Sequence, residues 1–96
     1  MRTAESWEKH ELDKRLKQSG VYFLKPATGG YGESGHSDRI GCAKGHFFSI
    51  EVKREGKEPT SLQYRRIAQV TDSGGKAFWG TAAKVIPEFD AWLATL

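Results

Sequence analysis

Ser37-Asp38-Arg39-Ile40-Gly41-Cys42-Ala43-Lys44-Gly45-His46-Phe47-Phe48-Ser49-Ile50-Glu51-Val52-Lys53 has the pattern of a β-hairpin at the centre of the chain. Two strand-like runs, Arg39 to Cys42 and Phe47 to Lys53, flank Lys44-Gly45. Glycine there supplies the positive φ that a tight hairpin turn needs. A two-residue loop makes Ala43 face His46 and Asp38 face Glu51. A four-residue loop from Ala43 to His46 keeps that register, whereas a three-residue loop moves Asp38 by one position. Directly opposed residues hold their Cβ atoms about 4.5–5.5 Å apart, and like charges there destabilise the pair. Glu51 and Lys53, two apart, share that face at about 6–7 Å. Phe48, Ile50 and Val52 take the other face and read as core. Two aligned acids with a lysine beside them are explained most economically by a divalent cation. The alternative is that Asp38 caps a turn while Glu51 and Lys53 are the solvent face of an edge strand.

The 96 residues, with 38% hydrophobic content, are expected to form one domain spanning 1–96, large enough to bury a core. The single Cys42 excludes an internal disulfide and fits a reducing compartment. No apolar run approaches the length of a membrane span, and Met1-Arg2-Thr3-Ala4-Glu5 has no secretory apolar region. The expectation is a cytoplasmic protein without a membrane partner. Net charge is +3, with basic residues in excess after Lys53, where Arg54, Lys57, Arg65, Arg66, Lys76 and Lys84 stand. That balance is compatible with a polyanion partner but does not demand one.

In chain order, Thr3 caps a helix running to about Ser19, which Gly20 ends. Glu5, Leu12 and Leu16 fall on or near one stripe of it, so an acid accompanies the buried leucines; a first-turn Glu is also favoured by the helix dipole. Trp7 reads as core. Val21 to Leu24 is a strand closed by Lys25-Pro26, and Lys25 is either a phosphate contact or an ordinary exposed lysine. Ala27 to Ser37 is glycine-rich and reads as a mobile loop. Its Gly30, Gly32 and Gly35 spell G-x-G-x-x-G, but a dinucleotide site needs that motif to lead from a strand into a helix. Here Pro26 intervenes and a strand follows.

His36, Cys42 and His46, with His10 as a distant fourth, match no paired zinc-ligand spacing, and Cys42 reads as a small buried hydrophobe. His36-Ser37-Asp38 is a tripeptide, whereas a hydrolase triad is a spatial arrangement. Thr60 caps a second helix reaching about Asp72. Gln63 belongs to its capping-box pattern, yet shares a side with Ile67 and Val70. Arg65 and Arg66 project away from that side. Lys76 to Trp79 is a further strand, parallel to the one before the helix through a crossover. Pro87 is expected to open a last helix with a Phe89, Trp92, Leu93, Leu96 face. The order α-β-β-β-α-β-α gives an α/β fold, a mixed sheet flanked by helices.

Asp38 followed by Glu51-x-Lys53 on the next strand resembles the signature of the PD-(D/E)xK nuclease superfamily. Glu5 in the first helix, Lys25 after the first strand, Gly35-x-x-Asp38, Ile50-Glu51-Val52-Lys53 and Leu62-Gln63 together resemble the VRR-NUC nucleases, in particular small stand-alone members of viral type. The likeness covers roughly Glu5 to Phe78. One departure is Ser37, where the family usually has proline before the aspartate; the glycine-rich loop is also longer than usual.

The resemblance implies a restriction-endonuclease-like core and a Mg²⁺- or Mn²⁺-dependent phosphodiesterase that cuts DNA, with branched or Holliday-junction DNA among related substrates. It also implies a homodimer, and one small sheet is not expected to cover the terminal Phe89, Trp92, Leu93, Leu96 face fully. Asp38 and Glu51 would furnish carboxylate ligands, with the Val52 carbonyl and Glu5 beside them. Such hard oxygens suit Mg²⁺. Lys53 would position water or offset transition-state charge, and Gln63 would orient Lys53 or that water. Lys25, Arg39, Arg54, Arg65 and Arg66 are the candidate nucleic-acid contacts. Two other classes stay open: a module that binds nucleic acid without cutting, and a structural subunit whose acids serve only solubility.

Overall fold

The computed structural model describes residues 3–27 and 33–96. Its elements are α1 (Ala4–Ser19), β1 (Tyr22–Leu24), β2 (Arg39–Ala43), β3 (His46–Val52), α2 (Ser61–Asp72), β4 (Lys76–Gly80) and α3 (Ala82–Ala94). The four strands form one sheet in the order β1-β2-β3-β4. β1, β2 and β3 are antiparallel neighbours, and β4 joins β3 in parallel after the α2 crossover. The architecture is the mixed α/β sheet anticipated from the element order.

The hairpin carries the expected register, with Arg39 opposite Ile50 and Ala43 opposite His46. Lys44 at φ 49° and Gly45 at φ 85° form its two-residue turn, and both positive angles match the twist of the flanking strands. Gly41 is required by close approach rather than by φ. A Cβ there would collide with the Tyr22 carbonyl oxygen and the Phe48 ring.

Phe48, Ile50 and Val52 point from β3 to one face, where Leu12 and Leu16 of α1 and Val85 and Phe89 of α3 bury them completely. Phe78 extends this core from β4. The rings of Phe48, Phe78, Phe89 and Trp92 meet edge-on or tilted, with centroids 5.1–6.0 Å apart. Such pairs contribute about 0.5–1.5 kcal/mol each beyond the area they bury.

Thr3 accepts from the Ser6 N–H (3.0 Å), and Gly20 at φ 75° closes α1 by donating to the Lys17 carbonyl. Three expectations are corrected. Pro87 does not open the last helix: Thr81 caps it by accepting from the Lys84 N–H (3.2 Å), and Pro87 lies inside. The proline offers no N–H to the Ala83 carbonyl, a loss outweighed by burial of Val85 and Phe89 on either side of it. Trp7 is 53% exposed instead of core, its ring set edge-on to His10. Cys42 is exposed, because strand alternation gives the core side to Gly41 and Ala43. Gly30 and Gly32 of the glycine-rich motif, and much of the loop that holds it, lie outside the described residues. Among those described, no helix is long and apolar enough to cross a membrane.

Candidate functional site

β3 is an interior strand, and the face opposite the core turns Ser49 and Glu51 toward the α2 side of the sheet. Glu51 is only 3% exposed, which rules out the reading of a solvated edge-strand acid. Asp38 stands one residue before β2, where the β2–β3 ladder stops at Arg39 and Ile50. Its Oδ2 accepts from the Val52 N–H at 2.8 Å, so the carboxylate takes over where a strand carbonyl would have continued the ladder. The Asp38 backbone is fixed as well, its carbonyl accepting from Arg39 Nη1 at 2.7 Å.

That arginine is the first departure from the expected site. Arg39 was anticipated as a nucleic-acid contact, but it is 6% exposed and its guanidinium grips Asp13 of α1 at both oxygens (2.6 and 2.9 Å). The odd positions of β2 face α1, so the side chain is committed to the interior. Burial pushes the Asp13 pKa up, but the Arg39 hydrogen bond and charge, helped by Lys25 and Lys17, outweigh it, and the net shift is downward. Lys25 is exposed and lies 3.7 Å from Asp13. Its charge serves this pair in the free protein.

Glu51 has two unequal oxygens. Oε1 accepts from Gln63 Nε2 (3.1 Å) and lies 3.7 Å from Lys53 Nζ. Oε2 is buried with no hydrogen-bond partner among the described residues. Burial, then the Asp38 charge, push the Glu51 pKa up to about 8; Lys53 opposes this, while a hydrogen bond to Asp38 and the charge of Glu5 add to it. Two carboxylates have no donor between them. A proton held by Glu51 supplies one, and Asp38 accepts it. The site thus carries one negative charge fewer at neutral pH than its residues suggest, unless a cation replaces the proton.

Gln63 satisfies both of its sequence readings at once. Its Oε1 accepts from the Thr60 N–H (2.9 Å), its own N–H donates to Thr60 Oγ1 (3.2 Å), and its Nε2 reaches Glu51. The capping box fixes the amide, which in turn orients Glu51 rather than Lys53. Lys53 is nearly buried beside Glu51. Glu5 is half-buried and acts on Glu51 through its charge. It also lines, with Lys53, Arg54 and Lys57, a cleft of about 550 Å³. Arg54 and Arg65 are exposed. Arg66 is half-buried, held by the Ser34 carbonyl (3.1 Å), Gln69 Oε1 (3.1 Å) and Glu33 (3.4 Å).

Two contributors are absent from the sequence reading. Lys9 Nζ lies 3.4 Å from Asp38 Oδ1, and Asp13 holds Arg39. Glu5, Lys9 and Asp13 recur every fourth residue, which aligns them on one helix face. That spacing was visible in the sequence, although the strand it meets was not. Among the described residues, no three His, Cys, Asp or Glu side chains are grouped so as to hold a metal ion. Asp38 and Glu5 both act on Glu51 through their charges, Asp38 the more strongly.

No family model matches this chain, and no curated protein does. Among solved structures, the chain is similar to one described as a VRR_NUC domain, with a TM-score of 0.79 at 22% identity. The match covers 94% of this chain and 97% of that one. It shows a shared fold over nearly the whole of both.

Proposed function

We propose that this VRR_NUC-like fold is a divalent-metal-dependent DNA endonuclease centred on Asp38, Glu51 and Lys53. The observation that carries the reading is the buried Glu51, whose Oε2 has no partner and whose neighbour is a second carboxylate. With Glu51 ionised, a buried oxygen without a partner costs about 1–3 kcal/mol, and the facing carboxylates repel each other. Both penalties are relieved by a cation. The donors fit Mg²⁺ or Mn²⁺, which take one or two carboxylates and retain water and phosphate oxygens. Asp38 Oδ1 and Glu51 Oε2 would hold the ion, with the Val52 carbonyl as a further oxygen and Glu5 acting from outside. When bound, such an ion supplies Lewis-acid polarisation of a phosphoryl oxygen.

The remaining work falls to the chain's own groups. Lys53 is anchored beside Glu51, where its ammonium offsets charge that accumulates on the phosphoryl group. Gln63 holds Glu51 in one orientation. Arg39 and Val52 fix the two ends of Asp38. Arg54 and Lys57, at the cleft beside Lys53, and the exposed Arg65 and Lys25 suit phosphate contacts that position DNA without reading its sequence. Branched DNA as substrate and a homodimer as the active form are part of this proposal. Phe89 is buried within the chain and Trp92, Leu93 and Leu96 half-buried, so a dimer contact has less of that face available than the sequence implied.

The test is cleavage of supercoiled plasmid and four-way-junction DNA with Mg²⁺, Mn²⁺ or EDTA. Wild type is expected to cut only with metal. Asp38→Ala, Glu51→Ala and Lys53→Ala should each abolish cutting while retaining DNA binding. Wild-type rates from Lys53→Ala would refute the role given to that lysine. Binding by wild type with no cleavage in any metal would leave a module that binds without cutting. Sedimentation at micromolar concentration should give twice the chain mass; a monomer with and without DNA would remove the dimer.

A further inference from the structure

Beside the carboxylate pair lies a second cleft, of about 520 Å³, between α2 and the segment that leads into β2. Its floor is Ile40, Phe47 and Ser49 of β2 and β3, and its walls include Val70 and Gln69 of α2 and Pro26. The lining is mainly apolar. Ser49 is 1% exposed, and its Oγ has no hydrogen-bond partner among the described residues. A buried hydroxyl without a partner at the floor of an apolar cleft points to a ligand that brings one. Gln69 gives its Oε1 to Arg66 and keeps its amide NH₂ as a further donor.

The position of the cleft identifies its occupant. Ser49 precedes Glu51 by two residues on the same strand face, about 6–7 Å away, and Ser37 in the wall adjoins Asp38. A ligand seated there therefore lies next to any phosphate held at the carboxylates. The group on DNA with apolar faces and a hydrogen-bonding edge, one sugar away from a phosphate, is the nucleobase. We infer that this cleft receives an unpaired nucleobase adjacent to the scissile phosphate, so that the protein prefers DNA with an extrahelical or unpaired nucleotide. A base within intact duplex is stacked and paired, and must leave the helix to enter such a pocket. The inference rests on the nuclease reading for its substrate, DNA.

The test uses the full chain in EDTA, which separates binding from cutting. Two duplexes of equal length are compared, one fully paired and one with a single extrahelical 2-aminopurine. Wild type is expected to bind the second roughly tenfold more tightly, the scale that burying one base against apolar and aromatic groups supports, with a change in 2-aminopurine fluorescence. Ser49→Leu fills the cleft from its floor and should abolish the preference without altering affinity for paired duplex. Ser49→Ala deletes only an unpartnered hydroxyl and so should fold as wild type does; it should reduce the preference roughly threefold. Equal affinity of wild type for both duplexes, or a full preference retained in Ser49→Ala, would overturn the inference. Mg²⁺-dependent cleavage is measured on the same preparation. Cutting without preference removes the cleft's role alone, whereas preference without cutting supports the cleft and removes the nuclease reading.

Discussion

Replacing Glu51 by glutamine turns the electrostatic account of the site into a stability measurement. In the metal-free protein the Glu51 pKa stands at about 8, above its ordinary value of 4.5, because of burial and then the Asp38 charge. Between those values the folded state keeps a proton that the unfolded state has released. Stability is therefore greatest at acid pH in this respect and falls as pH rises through the window. The slope reaches 1.36 kcal/mol per pH decade, and the total across the window is ~4–5 kcal/mol. That is a large fraction of the ~5–15 kcal/mol typical of a whole domain.

Glutamine is neutral throughout; it can donate to Asp38 and still accept from Gln63, reproducing protonated Glu51 at every pH. Urea unfolding in EDTA should give stabilities within about 1 kcal/mol for Glu51→Gln and wild type at pH 5. At pH 9 the variant should be several kcal/mol more stable. A difference that stays constant from pH 5 to pH 9 would mean instead that Glu51 ionises in the fold as it does in water.

Asp13→Ala leaves the Arg39 guanidinium buried without its carboxylate, and should cost ~3 kcal/mol; thermal melting is expected to fall by more than 10 °C, at ~4–8 °C per kcal/mol for a domain of this size. Thr60→Ala removes the capping-box acceptor and should cost ~1 kcal/mol in urea unfolding, while Thr60→Ser should restore it. Lys9→Met removes the ammonium next to Asp38 Oδ1 and should tighten Mn²⁺ binding severalfold by calorimetry, because that charge opposes an incoming cation.

The hairpin was legible in the sequence because a two-residue turn leaves strand alternation no freedom. Lys44-Gly45 set Asp38 beside Glu51, and alternation sent Phe48, Ile50 and Val52 to the core. The pairing of Gln63 with Thr60 was legible for the same local reason. What lay hidden depends on which helix covers which end of the sheet. Arg39 looked like a surface cation until α1 presented Asp13, a partner 26 residues away. Lys9 joined the site for the same reason. Trp7 looked like core by composition, yet Leu12 and Leu16 define the stripe that packs. Pro87 read as a helix start because its local preference is strong; Thr81, six residues earlier, had both a capping hydroxyl and a packed face beyond it. Ser49 shares the face of Glu51 by simple alternation, but its importance needed the cleft that α2 makes beside it.

Whether Asp38 and Glu51 together hold a divalent cation is read most directly by titrating Mn²⁺ into the protein at pH 8 in a calorimeter. Wild type should bind the ion with proton release, as the carboxyl proton on Glu51 is displaced, and both Asp38→Asn and Glu51→Gln should lose that binding. Asparagine keeps the oxygen that accepts from the Val52 N–H, so loss of the fold is not the expected cause. Binding in either variant with wild-type affinity and wild-type proton release would contradict the assignment of the pair as the metal centre.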